Sequence, residues 1–416
     1  MPERPPAVSD AIAYLRSLTA IRERCQQMLE LARADRLHHF AYHPEQLPAV
    51  AAYIAAVTRE AYPTLDVPFH SRWRHLQVGG LDRLAQLNAH LDACSPAERA
   101  RCHFDLVITS VLLDAGAGAD WRYDEASSGQ TYARSEGLAV ASVNAFLQGF
   151  FSSRVDTPWQ ADARGLQNIT EAGLAEAFQV TSDNPLVGLS GRATLLRTLG
   201  TVVESTPQYF YTGTDGPRLG HLFDYLAAHT CAGVLPARQI FLAVIESLAP
   251  IWPGRLSLGG VNLGDVWRYN QITGQGRTAG LVPFHKLSQW LTYSLIEPIS
   301  TAGIPVTGID ELTGLAEYRN GGLLLDLGLI TPKHDAVLTQ IHSPDSLTIV
   351  EWRALTVALL DRVATPVRDL LGLSAQEYPL AKILEGGTWR AGRRIAREKR
   401  ADGSPPLRLV SDGTVF

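Results

Sequence analysis

The residues of this chain that could do chemistry concentrate in two stretches. In the first, which runs from Gly308 to Gly322, the carboxylates Glu311 and Glu317 precede Tyr318, Arg319 and the pair Gly321-Gly322. Leu312, Leu315, Gly322 and Leu323 keep the three-to-four spacing of a buried helix face, and Arg319 falls inside that stripe. A buried guanidinium is costly unless it is paired. Each glycine costs about 1 kcal/mol relative to alanine in a helix. Local rules fail where a site is being built, although a structural Arg–carboxylate pair beside a tight helix contact accounts for the same residues. In the second stretch, Pro283 to Pro298, Phe284, Leu287, Leu291 and Leu295 form one helical face. Lys286, Trp290, Tyr293 and Glu297 fall at i, i+4, i+7 and i+11 and form a second stripe. A cation, two aromatic rings and a carboxylate in one row suit a flat polar ring attached to a sugar. The structural alternative is an exposed face with ordinary i,i+4 contacts.

Three polar loops supply further candidates. Trp121-Arg122-Tyr123-Asp124-Glu125 leads through Ser127-Ser128-Gly129 to Arg134-Ser135-Glu136-Gly137 at a helix start. Thr181-Ser182-Asp183-Asn184-Pro185 can position a turn, and Thr212-Gly213-Thr214-Asp215-Gly216-Pro217-Arg218 enters a helix. Backbone N–H groups there, together with Arg218, could hold a phosphate. Each loop alone also reads as a turn or cap, but polar loops feeding one helical core are what a small-molecule pocket needs. His70 and His75 flank Ser71-Arg72-Trp73-Arg74, a combination that suits anion contact better than metal. The twelve histidines form no ligand cluster by spacing. No nucleophile elbow, Walker A loop or H-E-x-x-H occurs. The glycines of residues 274–280 lack the preceding strand and following acid of a dinucleotide site.

These candidates need a helical scaffold. With 416 residues, 46% of them hydrophobic and only 19% charged, the chain has ample core material. Helical patterns cover residues 10–33, 45–60, 81–93, 96–113, 131–150, 164–180, 190–205, 217–230, 236–249, 283–300, 309–327, 346–372 and 376–385. Strand-like alternation is sparse, and Asp412-Gly413 marks a short C-terminal hairpin over residues 407–416. The pattern predicts a mainly α fold: one large helical unit over 1–416, divisible into subdomains 1–180 and 181–416. The Gly-rich segment 252–282 reads as a long functional loop or subdomain junction. The basic run of residues 389–400 reads as a solvated face, with a partner or anion contact as the alternative.

A net charge of −5 gives no case for nucleic-acid or bulk membrane binding, and a small anionic substrate remains compatible with local basic pockets. The scattered cysteines (Cys25, Cys94, Cys102, Cys231), the absence of an apolar signal core and the lack of a run of about 20 apolar residues predict a cytoplasmic protein.

Phe69-His70-Ser71-Arg72-Trp73-Arg74-His75, Arg134-Ser135-Glu136-Gly137-Leu138-Ala139, the Phe284-to-Trp290 segment and the Glu311-to-Leu327 stretch together resemble the uracil-catabolism protein four family over nearly the whole chain. That resemblance implies a place in a pyrimidine-degradation route through a ribosylated, ring-opened urea intermediate. The run from Glu311 through Leu312-Thr313 to Ala316-Glu317-Tyr318-Arg319 is also similar, more distantly, to the L-T-x-x-A-D-Y-R helix of the queuosine-salvage N-glycoside hydrolases. His285-Lys286-Leu287-Ser288-Gln289 is similar to their Y-K-R-A-Q helix. Those enzymes have a helical DNA-glycosylase-like fold and cleave a base–ribose bond. This chain departs from them in carrying Glu317 for Asp and Ser294 for an acid, with Glu297 three residues further on.

The resemblances imply hydrolysis of an N-ribosidic bond in a nucleoside- or nucleotide-derived small molecule, without metal or cofactor. Glu317, Glu297 and Asp183, in that order, are the expected catalytic carboxylates. Arg319 is expected to orient the carboxylate or touch substrate, and Trp290 and Tyr293 to stack on the leaving group. Lys286, Arg74, Arg218 and Arg134 are expected to clamp a phosphate or sugar, with Gln289, Asn184, Asp215 and His75 completing the binding set. A ring-opening amidohydrolase or deaminase, and a non-catalytic nucleotide-binding protein, are the alternatives.

Overall fold

Helices dominate the computed structural model, as the patterning predicts: the fold is mainly α, and the short strands among the described residues form only two-stranded pairings. The structure describes residues 7–213, 216–252 and 255–410. They fall into two units, each assembled from separate parts of the chain. Residues 7–70, 255–289 and 309–410 belong to the first, and residues 71–213, 216–252 and 290–308 to the second. No helix among the described residues is long and apolar enough to cross a membrane.

The first unit is organised around the helix Leu347–Leu371. It is buried on nearly every side over its first half, as Ile349, Val350, Trp352, Leu355, Leu359 and Leu360 show. A helix that is apolar all round belongs at a centre rather than on a surface. The Ser346 side chain caps its start, and Gly372, at φ 72°, ends it in the left-handed conformation. The helices Leu18–Arg33, Leu47–Ala61 and Tyr318–Asp326 pack on it. Glu351 lies fully buried within it and is satisfied by the His38 and His39 N–H groups, each at 2.9 Å, and by the Tyr269 hydroxyl at 2.8 Å. Strand Val266–Arg268 pairs antiparallel with Leu281–Pro283, so the Gly-rich segment returns the chain to the start of helix Lys286–Thr301.

The second unit holds the helices Pro96–Leu112, Arg134–Leu147, Leu189–Ser205 and Ala237–Leu248, together with the part of Lys286–Thr301 that follows Gln289. A hairpin of Arg122–Glu125 and Gln130–Ala133 leads directly into Arg134–Leu147. It is fastened by a buried pair in which Arg83 donates to Glu125 at 2.7 and 2.5 Å and Asn144 adds a third bond at 3.0 Å.

Local chemistry moves several expected boundaries. The first helix breaks at Ser17, whose hydroxyl caps a new helix by accepting the Ala20 N–H at 3.1 Å. The expected helix over 131–150 starts only at Arg134, because residues 130–133 are strand. The expected helix over 309–327 is shorter: Ile309–Glu311 is a single 3₁₀ turn, the chain then runs non-helical, and the helix begins at Tyr318. A side chain at Gly314 would lie 2.5 Å from Leu360. The Thr313–Ala316 backbone therefore lies directly against the central helix, closer than a helical turn with side chains allows. The Asp412-Gly413 turn lies outside the described residues; the described Arg408–Leu409 pairs in parallel with Ile341–His342.

Candidate functional site

In the first unit the site grows from the non-helical stretch just described. The Gln289 side-chain amide grips that stretch at Thr313, through both its nitrogen and its oxygen. Its nitrogen donates to the Thr313 hydroxyl at 2.5 Å, and its oxygen accepts the Thr313 N–H at 2.9 Å. Four residues on, Glu317 takes the helix-capping position that usually belongs to Ser, Thr or Asp. Its two carboxylate oxygens accept the Arg319 and Asn320 N–H groups, each at 2.6 Å. The Arg319 side chain is buried; it donates to the Gly403 carbonyl at 2.8 Å and lies over the Tyr318 ring. Arg319 therefore adds its charge near Glu317 while its guanidinium is held elsewhere. The adjacent glycines are contact residues. A side chain at Gly321 would sit 2.7 Å from the Trp352 ring, and one at Gly322 would sit 3.0 Å from Pro406.

Burial pushes the Glu317 carboxyl above its ordinary value, and this outweighs the two backbone N–H bonds and the positive charges of Lys286 and Arg319. Lys286 starts its helix beside His285, a residue held at φ 46°, and donates its backbone N–H to Asp265 at 3.0 Å. Asp265 accepts Arg353 through two bonds, at 2.7 and 2.8 Å, and the Trp267 indole at 2.6 Å. Burial alone would raise the Asp265 carboxyl, but the Arg353 guanidinium holds it far below the usual carboxylate range. Arg353 stacks 4.2 Å from the Phe284 ring centre and donates to the Ala316 carbonyl at 3.3 Å. The cluster thus has two carboxylates linked through Lys286 and Arg353, one biased towards its neutral form and one firmly ionised. Carboxylates whose environments drive them apart are the arrangement from which acid and base roles are drawn.

Of the expected residues, the first unit brings together Glu317, Lys286, Gln289 and Arg319. The second unit holds the others. Arg74 donates to both oxygens of Glu297, at 2.8 and 2.6 Å. The rings of His75 and Trp290 lie 5.8 Å apart, and Tyr293 is fully buried. Arg218 is buried and donates to Asp105 and Glu98, each at 2.6 Å. Arg134 opens its helix at φ 55°. Asp183 is exposed, and the Asn184 side chain fastens its loop by bonds to the Arg122 backbone and to the Gln179 carbonyl. Asp215 lies outside the described residues. The basic run forms an open groove of about 510 Å³ lined by Trp389, Arg390, Arg393, Arg394, Arg397 and Glu398, with Arg394 paired to Glu60 and Glu398 and Arg390 to Glu385.

Sequence reading passed over Asp265 and Arg353. Arg353 carried a usable signal, a charged residue inside an otherwise apolar helical run, which is the same anomaly that singled out Arg319. Asp265 carried none, since its partners lie 21 and 88 residues away.

Comparison with known proteins agrees with the motifs. Residues 14–416 match a family described as Protein of unknown function (DUF1688). The chain is similar to Protein urg3 of Schizosaccharomyces pombe, at 40% identity over 98% of this chain and 100% of the relative. It is also similar to Uracil catabolism protein 4 of Lachancea kluyveri, at 34% identity over 98% of this chain and 100% of the relative. With matches of that length and identity, the chain belongs to the family that these two proteins share, that of uracil catabolism protein 4.

Proposed function

We propose that this protein is an enzyme of uracil catabolism that hydrolyses the N-ribosidic bond of a ribosylated, uracil-derived compound, ribosylurea or its 5′-phosphate. The pathway assignment draws on the name of the relative from Lachancea kluyveri. The observation that carries the reaction is the state of Glu317: a largely enclosed carboxylate, fixed by two 2.6 Å backbone bonds and facing the charge of Lys286.

The chemistry suits that placement. Breaking the bond between C1 of the ribose and nitrogen builds oxocarbenium-like positive charge on the sugar. An enclosed carboxylate stabilises that charge more strongly than one in water. It also accepts a proton from the attacking water, whose oxygen bonds to C1 as the C–N electrons pass to the leaving nitrogen. The proton balance closes when the leaving nitrogen is protonated, giving free urea and ribose or ribose phosphate. Gln289 and Arg353 act as positioning residues, because they hold the Thr313–Ala316 backbone that delivers Glu317.

An NMR time course of the full chain with ribosylurea, its 5′-phosphate, uridine and uridine monophosphate tests this reading. Release of urea with ribose or ribose phosphate supports it, and Glu317→Gln should slow that release by about 10²–10⁴. Ring-opened products from uridine would replace it with amide chemistry. Binding without turnover of any compound would replace it with a binding role.

A further inference from the structure

The second unit contains a buried polar cluster that the proposed reaction does not use. Arg72 is fully buried, and two of its three guanidinium nitrogens are engaged. Nε donates to the Ser110 hydroxyl at 2.8 Å. Nη1 reaches Asp114 at 2.8 Å, the Ser135 hydroxyl at 3.1 Å, the Ser135 carbonyl at 3.2 Å and His75 Nδ1 at 3.2 Å. Nη2 is buried with no hydrogen-bond partner among the described residues. A guanidinium nitrogen in that position is costly to leave unmatched, more so because it carries charge.

The surroundings are built and fixed. The Arg72 N–H donates to the Ser294 hydroxyl at 3.0 Å, and the Trp73 indole donates to the Ser294 carbonyl at 2.7 Å. Arg192 donates to the carbonyls of Leu113, Ala115 and Gly116, which fixes the backbone on both sides of Asp114. The Ser135 hydroxyl donates to Asp114 at 2.6 Å. Because His75 Nδ1 accepts from Arg72, the ring proton sits on Nε2. Asp114 is the opening of this cluster, with 12% of its side chain exposed against 0% for Arg72.

We infer that Arg72 and Asp114, framed by Ser135 and His75, bind the carbonyl and adjacent N–H edge of a small neutral ureide or imide such as uracil. Arg72 Nη2 supplies the donor for the carbonyl. Asp114, with 12% of its side chain exposed, supplies the carboxylate that accepts the N–H. The charges that act on Arg72 are those of Asp114 and Glu136, so its positive charge is already balanced and a free anion gains little there. The inference takes its ligand class from the proposed function but needs none of its reaction.

Calorimetric titration of the full chain with uracil and with N-methylurea, and separately with acetate and inorganic phosphate, tests it. Saturable binding of uracil or N-methylurea is expected. Asp114→Asn and Ser135→Ala should weaken it roughly tenfold or more, the equivalent of one good hydrogen bond. Glu317→Gln should bind as the unsubstituted chain does, so failure of the hydrolase reading leaves this result intact, and the reverse also holds. Should Asp114→Asn fail to fold, Ser135→Ala at an unchanged melting temperature decides the matter. Binding of acetate or phosphate in place of the neutral ligands, no binding at all, or unaltered affinity in the folded variants overturns the inference.

Discussion

Asp265 and Arg353 meet through two hydrogen bonds, at 2.7 and 2.8 Å, with the arginine side chain 1% exposed and the carboxylate also capping the first N–H of the helix Lys286–Thr301. One ion pair thereby joins the Gly-rich segment, the central helix and the backbone before Glu317. Removing one partner of such a pair leaves the other charge buried. Arg353→Ala should therefore cost about 3–5 kcal/mol of stability. Urea denaturation reads this directly; a midpoint unchanged from that of the parent chain would show that the pair does not hold this part of the unit together.

The raised carboxyl of Glu317 sets a sign for pH. In the folded protein the group holds its proton to a higher pH than the unfolded chain does, so the folded state binds more protons across that interval. Its ionisation costs stability progressively as pH rises from the ordinary carboxylate range through the folded value. Glu317→Gln should remove that slope, and should reduce turnover by about 10²–10⁴. If the proposed reaction holds, turnover of the unsubstituted chain should fall as pH drops through the raised value, because that reaction requires the ionised form. A rate profile that stays flat down to the ordinary carboxylate range would exclude Glu317 as the ionised catalyst.

Glu125 predicts the opposite slope. Burial opposes its ionisation, but Arg83, Ser128 and Asn144 prevail and hold its carboxyl down to about 2. The unfolded value is about 4.3. The pair therefore contributes full stability above that unfolded value and loses it as pH falls towards 2. The amount is roughly 3 kcal/mol, at about 1.4 kcal/mol per pH unit. Melting temperatures of the parent and of Glu125→Gln should converge as the solution is acidified, and a gap that stays constant would refute the assignment.

Close backbone contact gives a steric prediction. A side chain at Gly392 would lie 2.2 Å from the Arg319 carbonyl, which is backbone and cannot swing aside. Gly392→Ala should push the helix Trp389–Lys399 away from Tyr318–Asp326 and cost about 1–3 kcal/mol, although alanine is the better helix former. A gain in thermal stability would mean that these two helices are not packed as described.

The sequence exposed the helical character and the importance of residues 283–298 and 308–322, because both signals are local. Apolar spacing marks a helix wherever it occurs, and Arg319 and Gly321-Gly322 break that spacing visibly. The start of the helix at Tyr318 was hidden. Leu312 and Leu315 keep helical spacing although they lie in non-helical chain, since burial demands apolar residues in any conformation. Glu317 as a cap was hidden too, because glutamate seldom takes that role. Asp265 and Arg72 could be understood only through partners distant in sequence, such as Arg353 and Asp114, and pattern reading has no access to such pairs.

The interleaved path of the chain bears on how this protein is made. Residues 7–70 belong to the same unit as residues 309–410, so during synthesis their helices must wait for residues 71–308 before their partners emerge. The central helix Leu347–Leu371, on which Leu18–Arg33 and Leu47–Ala61 pack, is made well after them. Such long-range closure slows folding and leaves apolar helix faces uncovered in the interim. Cutting the chain at any point between residues 71 and 308 separates helices that share one core.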